Sequence, residues 1–328
     1  MKKTLIALAL VSLPVAASAE VILYGVVKAG VEYESNATRA STGDKEKAAN
    51  IVDYGTRIGF KGSEDLNNGL KAIWQIETHA SLGDGTVGNR GRDSFIGLEG
   101  GFGTVRAGYV SSPLKVSVDN QDMWEYDSPI LGLGYYTRFG ERRTSLNYNS
   151  PNWGGFDFAF QFTPGNNYHG SPTNDKQPVY GLGLNYANSG FFGRYAMDYH
   201  TIRNGKDSHV HNLVGGYDAN NLYVALGLQY AKNVDGTFQE VKYGTDKTTE
   251  AQLTGAYTFG AVTPKLTAAY GKASDSGARY TQVVAGADYA FSRRTTGLVS
   301  LGWLREKAHT GAENVNSWAV GTGLVHKF

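Results

Sequence analysis

The side chains that could do chemistry in this sequence are charged rather than nucleophilic. None of the 328 residues is cysteine, which removes thiol nucleophiles, thiolate metal sites, iron–sulfur clusters and disulfide scaffolds. No Gly-x-Ser-x-Gly elbow and no Gly-x-x-x-x-Gly-Lys phosphate loop occurs. Gly132-x-Gly134, Gly181-x-Gly183 and Gly321-x-Gly323 lack a third glycine and read as relief of crowding on a curved sheet. His209 and His211 share one side of an alternating segment, but two ligands are too few for a metal site. Neither a metal, a cofactor nor catalysis is expected. What remains is opposed charge. Lys28, Arg57, Arg92 and Arg106 fall on four separate segments, and the stretch 111–142 carries Asp119, Asp122, Glu125 and Asp127, with Lys115 just before them. Fixed charges of both signs without a nucleophile act on ions and dipoles through their field.

The frame for these charges reads as strands. Phe156, Phe158, Phe160 and Phe162 alternate with Asp157, Ala159, Gln161 and Thr163, and Leu222 to Ala231 alternates in the same way. A period of two gives each segment one greasy face and one polar or small face. Sixteen segments can be placed: 21–33, 50–61, 69–79, 92–100, 103–110, 143–150, 155–164, 178–187, 190–201, 209–218, 221–232, 249–259, 262–273, 279–290, 295–306 and 316–328. Short connections such as Ala219-Asn220 alternate with long polar ones at 34–49, 80–91, 165–177, 233–248 and 307–315. Short turns at one end and long loops at the other are what an antiparallel transmembrane barrel requires. An even count of sixteen leaves room for an aqueous lumen. The segment 295–306 is apolar on both faces and does not declare which one looks inward.

With the greasy face toward lipid, the inward residues follow by parity. They are Tyr24, Lys28 and Glu32, then Arg57 and Lys61, then Lys71, Gln75, Glu77 and His79. Arg92 shares its face with Ser94, opposite Phe95, and Arg106 lies opposite Val105 and Ala107. Strands about 4.8 Å apart would bring Lys28, Arg57, Arg92 and Arg106 into one basic wall.

Composition sets the compartment. The balance of 31 basic against 30 acidic residues gives no reason to expect a nucleic-acid partner. A mean hydropathy of −0.34 argues against helical spans. Met1-Lys2-Lys3, the apolar run Thr4–Val15 and Ala17-Ser18-Ala19 have the order of a cleaved signal peptide, 1–19, leaving a single domain, 20–328. Cleavage removes Lys2 and Lys3, so the formal charge falls from +1 to −1. That total carries no information on ion selectivity, because the field at the narrowest point decides it.

Several stretches carry a family resemblance. Leu23-Tyr24-Gly25-Val26-Val27-Lys28-Ala29-Gly30 resembles the first strand of general diffusion porins of the Neisseria type. Arg57-Ile58-Gly59-Phe60-Lys61-Gly62-Ser63-Glu64-Asp65-Leu66, Gly69-Leu70-Lys71-Ala72-Ile73-Trp74-Gln75, Ser94-Phe95-Ile96-Gly97-Leu98, Tyr148-Asn149-Ser150-Pro151 and Gly323-Leu324-Val325-His326-Lys327-Phe328 continue it in order. The resemblance implies an all-β, sixteen-stranded outer-membrane barrel, assembled as a homotrimer in outer-membrane lipid, that passes small hydrophilic solutes and ions by diffusion. It implies that the third loop folds inward, setting its acids against a basic wall to which Lys115 also belongs. It implies that Phe328 is the signature read by the outer-membrane assembly machinery. Asn147 departs from a position that is often basic in the family. Two rival readings stay open here. A substrate-specific sugar or anion channel would show an aromatic slide, for which Tyr24, Tyr223 and Tyr280 are dispersed candidates; a barrel enzyme or adhesin would carry its function in its loops.

Overall fold

The computed structural model describes residues 20–38, 45–165, 178–201, 207–233 and 247–328. The expected signal peptide at 1–19 and most of the loops at 165–177 and 233–248 lie outside these residues. Eighteen strand segments form one antiparallel sheet that closes on itself. The first seven are β1 (Glu20–Thr38), β2 (Lys45–Asp53), β3 (Arg57–Asp65), β4 (Lys71–Ala80), β5 (Val87–Gly91), β6 (Ser94–Gly100) and β7 (Gly103–Ser111). Eleven more follow the third loop: β8 (Arg142–Asn149), β9 (Phe156–Thr163), β10 (Val179–Asn188), β11 (Phe191–His200), β12 (Ser208–Ala219), β13 (Leu222–Lys232), β14 (Lys247–Tyr257), β15 (Val262–Ala273), β16 (Arg279–Ala290), β17 (Thr295–Lys307) and β18 (Asn314–Lys327). β2 and β3 lie in line and both pair with β1, while β5 and β6 lie in line and both pair with β4. The barrel therefore has sixteen strands, and β18 closes it against β1.

The first interruption falls inside expected segment 50–61. The second, at 92–93, falls at the start of expected segment 92–100, and β5 occupies the end of the stretch 80–91 expected to be loop. Each has a local cause. At the first, Asp53 Oδ1 accepts from the backbone N–H groups of Gly55 (2.6 Å) and Thr56 (2.9 Å), and Gly55 adopts φ +90°. The Thr56 hydroxyl then takes the place of a ladder group, accepting from Lys28 N and donating to Lys28 O. At the second, Ser94 Oγ accepts from Glu77 N at 3.2 Å. This break shifts the parity of β6. Ile96 and Leu98 are 66% and 42% exposed on the outer face, and Phe95 looks inward, where the Arg106 guanidinium lies over its ring. The expectation that Ser94 faces the lumen and Phe95 the lipid is thus reversed; Arg92 reaches the lumen from the break, not from the strand.

Outside, an apolar band runs between two aromatic belts. Tyr33, Trp318, Trp303, Tyr270 and Tyr230 mark the long-loop end, and Tyr257, Phe259, Tyr289 and Phe291 the short-turn end. Tyr289 stands eight residues along β16 from Thr281, the partner of Tyr270. That is about 26 Å along the strand, or about 20 Å along the axis at a 40° tilt, close to a hydrocarbon core.

The interior is not empty. The third loop, 112–141, turns into the lumen and carries α1 (Pro113–Asp119) and α2 (Gly134–Thr137). Ser112 caps α1 by accepting from Lys115 N, and Pro113 stands in the first turn. Leu114, Val118 and Phe139 pack on Ala196, Val210 and Ala231. Trp124, Ile130, Leu131, Leu133 and Tyr136 join a second cluster with Ala269, Val284, Leu298, Leu304 and Ala319. This explains the two apolar faces of 295–306: Val299, Leu301 and Trp303 meet lipid, while Leu298 and Leu304 meet the loop. It also corrects the reading of Gly181, Gly183 and Gly321. A Cβ at Gly181 or Gly183 would stand 3.0 Å from Pro113, and one at Gly321 would stand 2.6 Å from the Tyr126 ring. These glycines seat the loop.

Candidate pore constriction

With the loop packed against the β10–β18 side, the open path runs beside β1–β5. A cavity of about 870 Å³ lies there, bordered by Lys28, Arg57, Arg92, Lys115, Glu125 and Asp127 among others. Lys28 projects from β1 and its Nζ donates to Glu125 Oε2 of the loop at 2.7 Å. Burial would raise the Glu125 carboxyl, but the Lys28 ammonium outweighs it and holds the group below the ordinary glutamate range. Arg57 and Arg92 flank one carboxylate of their own wall. Glu77 pairs with Arg92, lies 3.8 Å from Arg57 Nε, and accepts from the Tyr24 hydroxyl at 2.9 Å. The basic wall is therefore half-neutralised from within, which strand parity alone does not reveal.

The remaining candidates separate. Lys115 bonds to Asp119 one turn along α1, at 3.0 Å. Asp127 is exposed at the rim of the opening. Asp122 turns back into the loop and accepts from Trp124 N at 2.9 Å and Leu133 N at 3.1 Å, pinning residues 122–133. Burial pushes its carboxyl up to about 6 despite those two donors. His79 Nε2 stands 3.3 Å from Asp53 Oδ1 in the opening. Lys61 lies over the Tyr24 ring, and Lys71 is in register with Asp65 and Glu99 at the short-turn end.

Arg106 does not join the wall. It pairs in register with Gly97, five residues beyond Arg92, which is about 16 Å along a strand. There it donates to Asn147 (2.7 Å) and Asn149 (2.8 Å), and it borders a separate small cavity beneath α1 with Arg194. Asn147, the departure from the family pattern, is thus a buried acceptor for Arg106.

Sequence reasoning missed the charges that hold the loop. Arg138 forms a two-pronged bond to Glu250, both distances 2.7 Å. Arg143 reaches Asp198 at 2.7 Å, and Lys265 reaches Asp288 at 2.8 Å and Met123 O at 2.7 Å. Each acid is the only one on the small, polar face of its strand, and that was the available signal. Arg142 with Asp93 at 2.6 Å adds one more pair beside the opening. His209 and His211 point outward and bond to each other and to Tyr195.

A family model described as Gram-negative porin matches residues 4–309. The chain belongs to the Gram-negative porin family. The major outer membrane protein P.IB of Neisseria sicca is 43% identical to this porin, with all of both chains covered. That of Neisseria lactamica is 42% identical over the same extent. Solved structures share the fold. An anion-selective porin from Comamonas acidovorans superposes with a TM-score of 0.76 at 21% identity, covering 95% of this chain and 100% of its own. Salmonella typhi OmpF gives 0.71 at 20% identity, covering 94% and 98%. The chain is a general porin channel of the outer membrane, and its family and its relatives' names indicate a channel rather than an enzyme.

Proposed function

We propose that selection by this porin occurs where the third loop meets β1–β5, with Lys28, Arg57 and Arg92 on the wall and Glu125, Asp127 and Asp119 on the loop. The observation that carries the reading is the Lys28–Glu125 contact at 2.7 Å, which joins wall and loop across the edge of the opening. Charges paired across a path produce a field transverse to it, which orients dipolar solutes without trapping a monovalent ion. Arg106 belongs to a second, lower vestibule. A sugar-specific slide is disfavoured, because Tyr280 is fully buried against Glu250 and Tyr135 while Tyr223 stacks on Phe192. Export by cleavage after Ala19, assembly as a homotrimer and recognition of Phe328 by the assembly machinery complete the proposal. Liposome swelling with sugars of graded size tests it: a size limit without sugar preference is expected. A rate that follows sugar identity at equal size would sink the general-diffusion reading.

A further inference from the structure

On the inner wall, Val210 of β12 and Leu298 and Leu304 of β17 are covered by the third loop. Three apolar side chains on the opposite wall are not. Ile22, Ile73 and Phe95 project from β1, β4 and β6 at the short-turn end of the lumen, and none of them belongs to either cluster on which the loop packs. The pairing sets them side by side. Ile22 faces Lys61, Lys61 faces Gln75 and Gln75 faces Phe95, while Ile73 stands two residues from Gln75 on the same face. Three strand spacings make this floor about 14 Å wide. The Lys61 ammonium lies over the Tyr24 ring at its upper edge, 5.2 Å from the centroid, and forms no ion pair among the described residues. Arg106 covers one side of the Phe95 ring and is bonded to two neutral amides rather than to a carboxylate. A cavity of about 220 Å³ lies on the floor. Glu20, the one carboxylate bordering it, stands at the outer rim, two residues or about 7 Å beyond Ile22.

We propose that this floor is a binding subsite for small aromatic carboxylates and sulfonates on their way through the channel. The ring lies on Ile22, Ile73 and Phe95, and the acid group meets Lys61 on the constriction side, away from Glu20. A neutral aromatic leaves the ammonium unused, and an inorganic anion leaves the apolar floor in water. The volume is below the roughly 300–1,000 Å³ of sites for drug-sized ligands, which suits a single ring.

Single-channel recording in a planar bilayer at 0.1 M salt tests the site, with benzenesulfonate, methanesulfonate and benzamide added in turn to both compartments. Benzenesulfonate should lower the open-channel current reversibly, at concentrations on the order of tenfold below those needed with either of the others. Lys61→Gln should remove most of its advantage over benzamide, and Ile22→Ser with Ile73→Ser most of its advantage over methanesulfonate. At 1 M salt, where the screening length is about 3 Å, benzenesulfonate should weaken while benzamide does not. Equal block by benzenesulfonate and methanesulfonate, or none by benzenesulfonate, overturns the proposal, as does an undiminished preference in the Lys61→Gln channel. Should the double serine variant not fold, the three solutes on the parent and on Lys61→Gln decide. The size limit for neutral sugars is set at the constriction, so a negative result here leaves the proposed function standing.

Discussion

Glu77→Gln removes one carboxylate from between two guanidiniums while keeping the shape of the side chain. Arg92 is in contact with Glu77, Arg57 is 3.8 Å away, and the Tyr24 hydroxyl is 2.9 Å away. The amide oxygen, in the place of Oε1, still accepts from Arg92, and the amide NH2, in the place of Oε2, donates to the Tyr24 hydroxyl, so the wall keeps its form and gains one unit of positive charge. An ion passing about 8 Å from the lost charge feels a change of about 0.5 kcal/mol at a dielectric of 80 and about 2 kcal/mol at 20. Even the smaller figure alters the occupancy of one ion about 2.4-fold. Because the sign is opposite for anions and cations, the permeability ratio should move about sixfold toward anions. The assay is the reversal potential of single channels in a planar bilayer under a salt gradient. The shift should shrink at 1 M salt, where the screening length is about 3 Å, compared with about 10 Å at 0.1 M. Glu313→Gln, in an exposed loop at the long-loop end, should move the potential far less. No shift from Glu77→Gln, a shift toward cations, or an equal shift from Glu313→Gln would refute the placing of this carboxylate at the selective point.

Other outcomes follow from the same contacts. Lys28→Met should move the reversal potential toward cations, because it leaves Glu125 uncompensated, and Glu125→Gln should move it the other way. Trp124→Ala should cost about 3–5 kcal/mol in the seating of the third loop, visible as new protease cleavage within 112–141 of the folded barrel. Asp122 binds its proton more tightly folded than unfolded, so its contribution to stability falls as pH rises from about 4 to about 6. Asp122→Asn should flatten that part of the pH dependence of the heat-denaturation midpoint. Deleting Phe328 should lower the yield of folded barrel without affecting export, since its backbone continues the ladder to Gly25 at 3.1 and 3.2 Å and its ring covers that glycine.

The barrel was legible because lipid on one side and water or small residues on the other impose strict alternation, and every turn at the short end is a sharp local signal. Asn220 and Asn221, both at positive φ, mark one such turn. The strand breaks were not legible in the same way. Asp53-Tyr54-Gly55-Thr56 contains the needed chemistry, an aspartate that can accept from two following N–H groups and a glycine for the left-handed step, but alternation on either side conceals it. The break at 92–93, between β5 and β6, is equally concealed, and it is the one that reverses the parity of Phe95. The charged anchors were hidden for another reason. Glu250 and Asp198 are bonded to Arg138 and Arg143, 112 and 55 residues away in sequence, and no local pattern reports a partner at that distance.

The third loop divides the lumen into unlike halves, and this division makes a fixed opening from a long loop. Thirty residues in water would not hold one shape, because ordering each backbone costs about 1–2 kcal/mol. Apolar burial against β11–β18 opposes that cost over most of the loop, the Arg138–Glu250 pair ties its C-terminal part to the wall, Lys265, paired with Asp288, holds Met123 O in its middle, and Arg143–Asp198 fixes the start of β8 where the loop ends. Breaking one of these buried pairs would strand the other charge, so each anchor resists displacement more than it favours folding. The side facing β1–β5 needs no such packing and is free to carry exposed charge. Asp119, Glu125 and Asp127 can therefore vary in type without unseating the loop, whereas Trp124, Leu131 and Leu133 cannot. Selectivity and architecture are written on opposite faces of the same thirty residues.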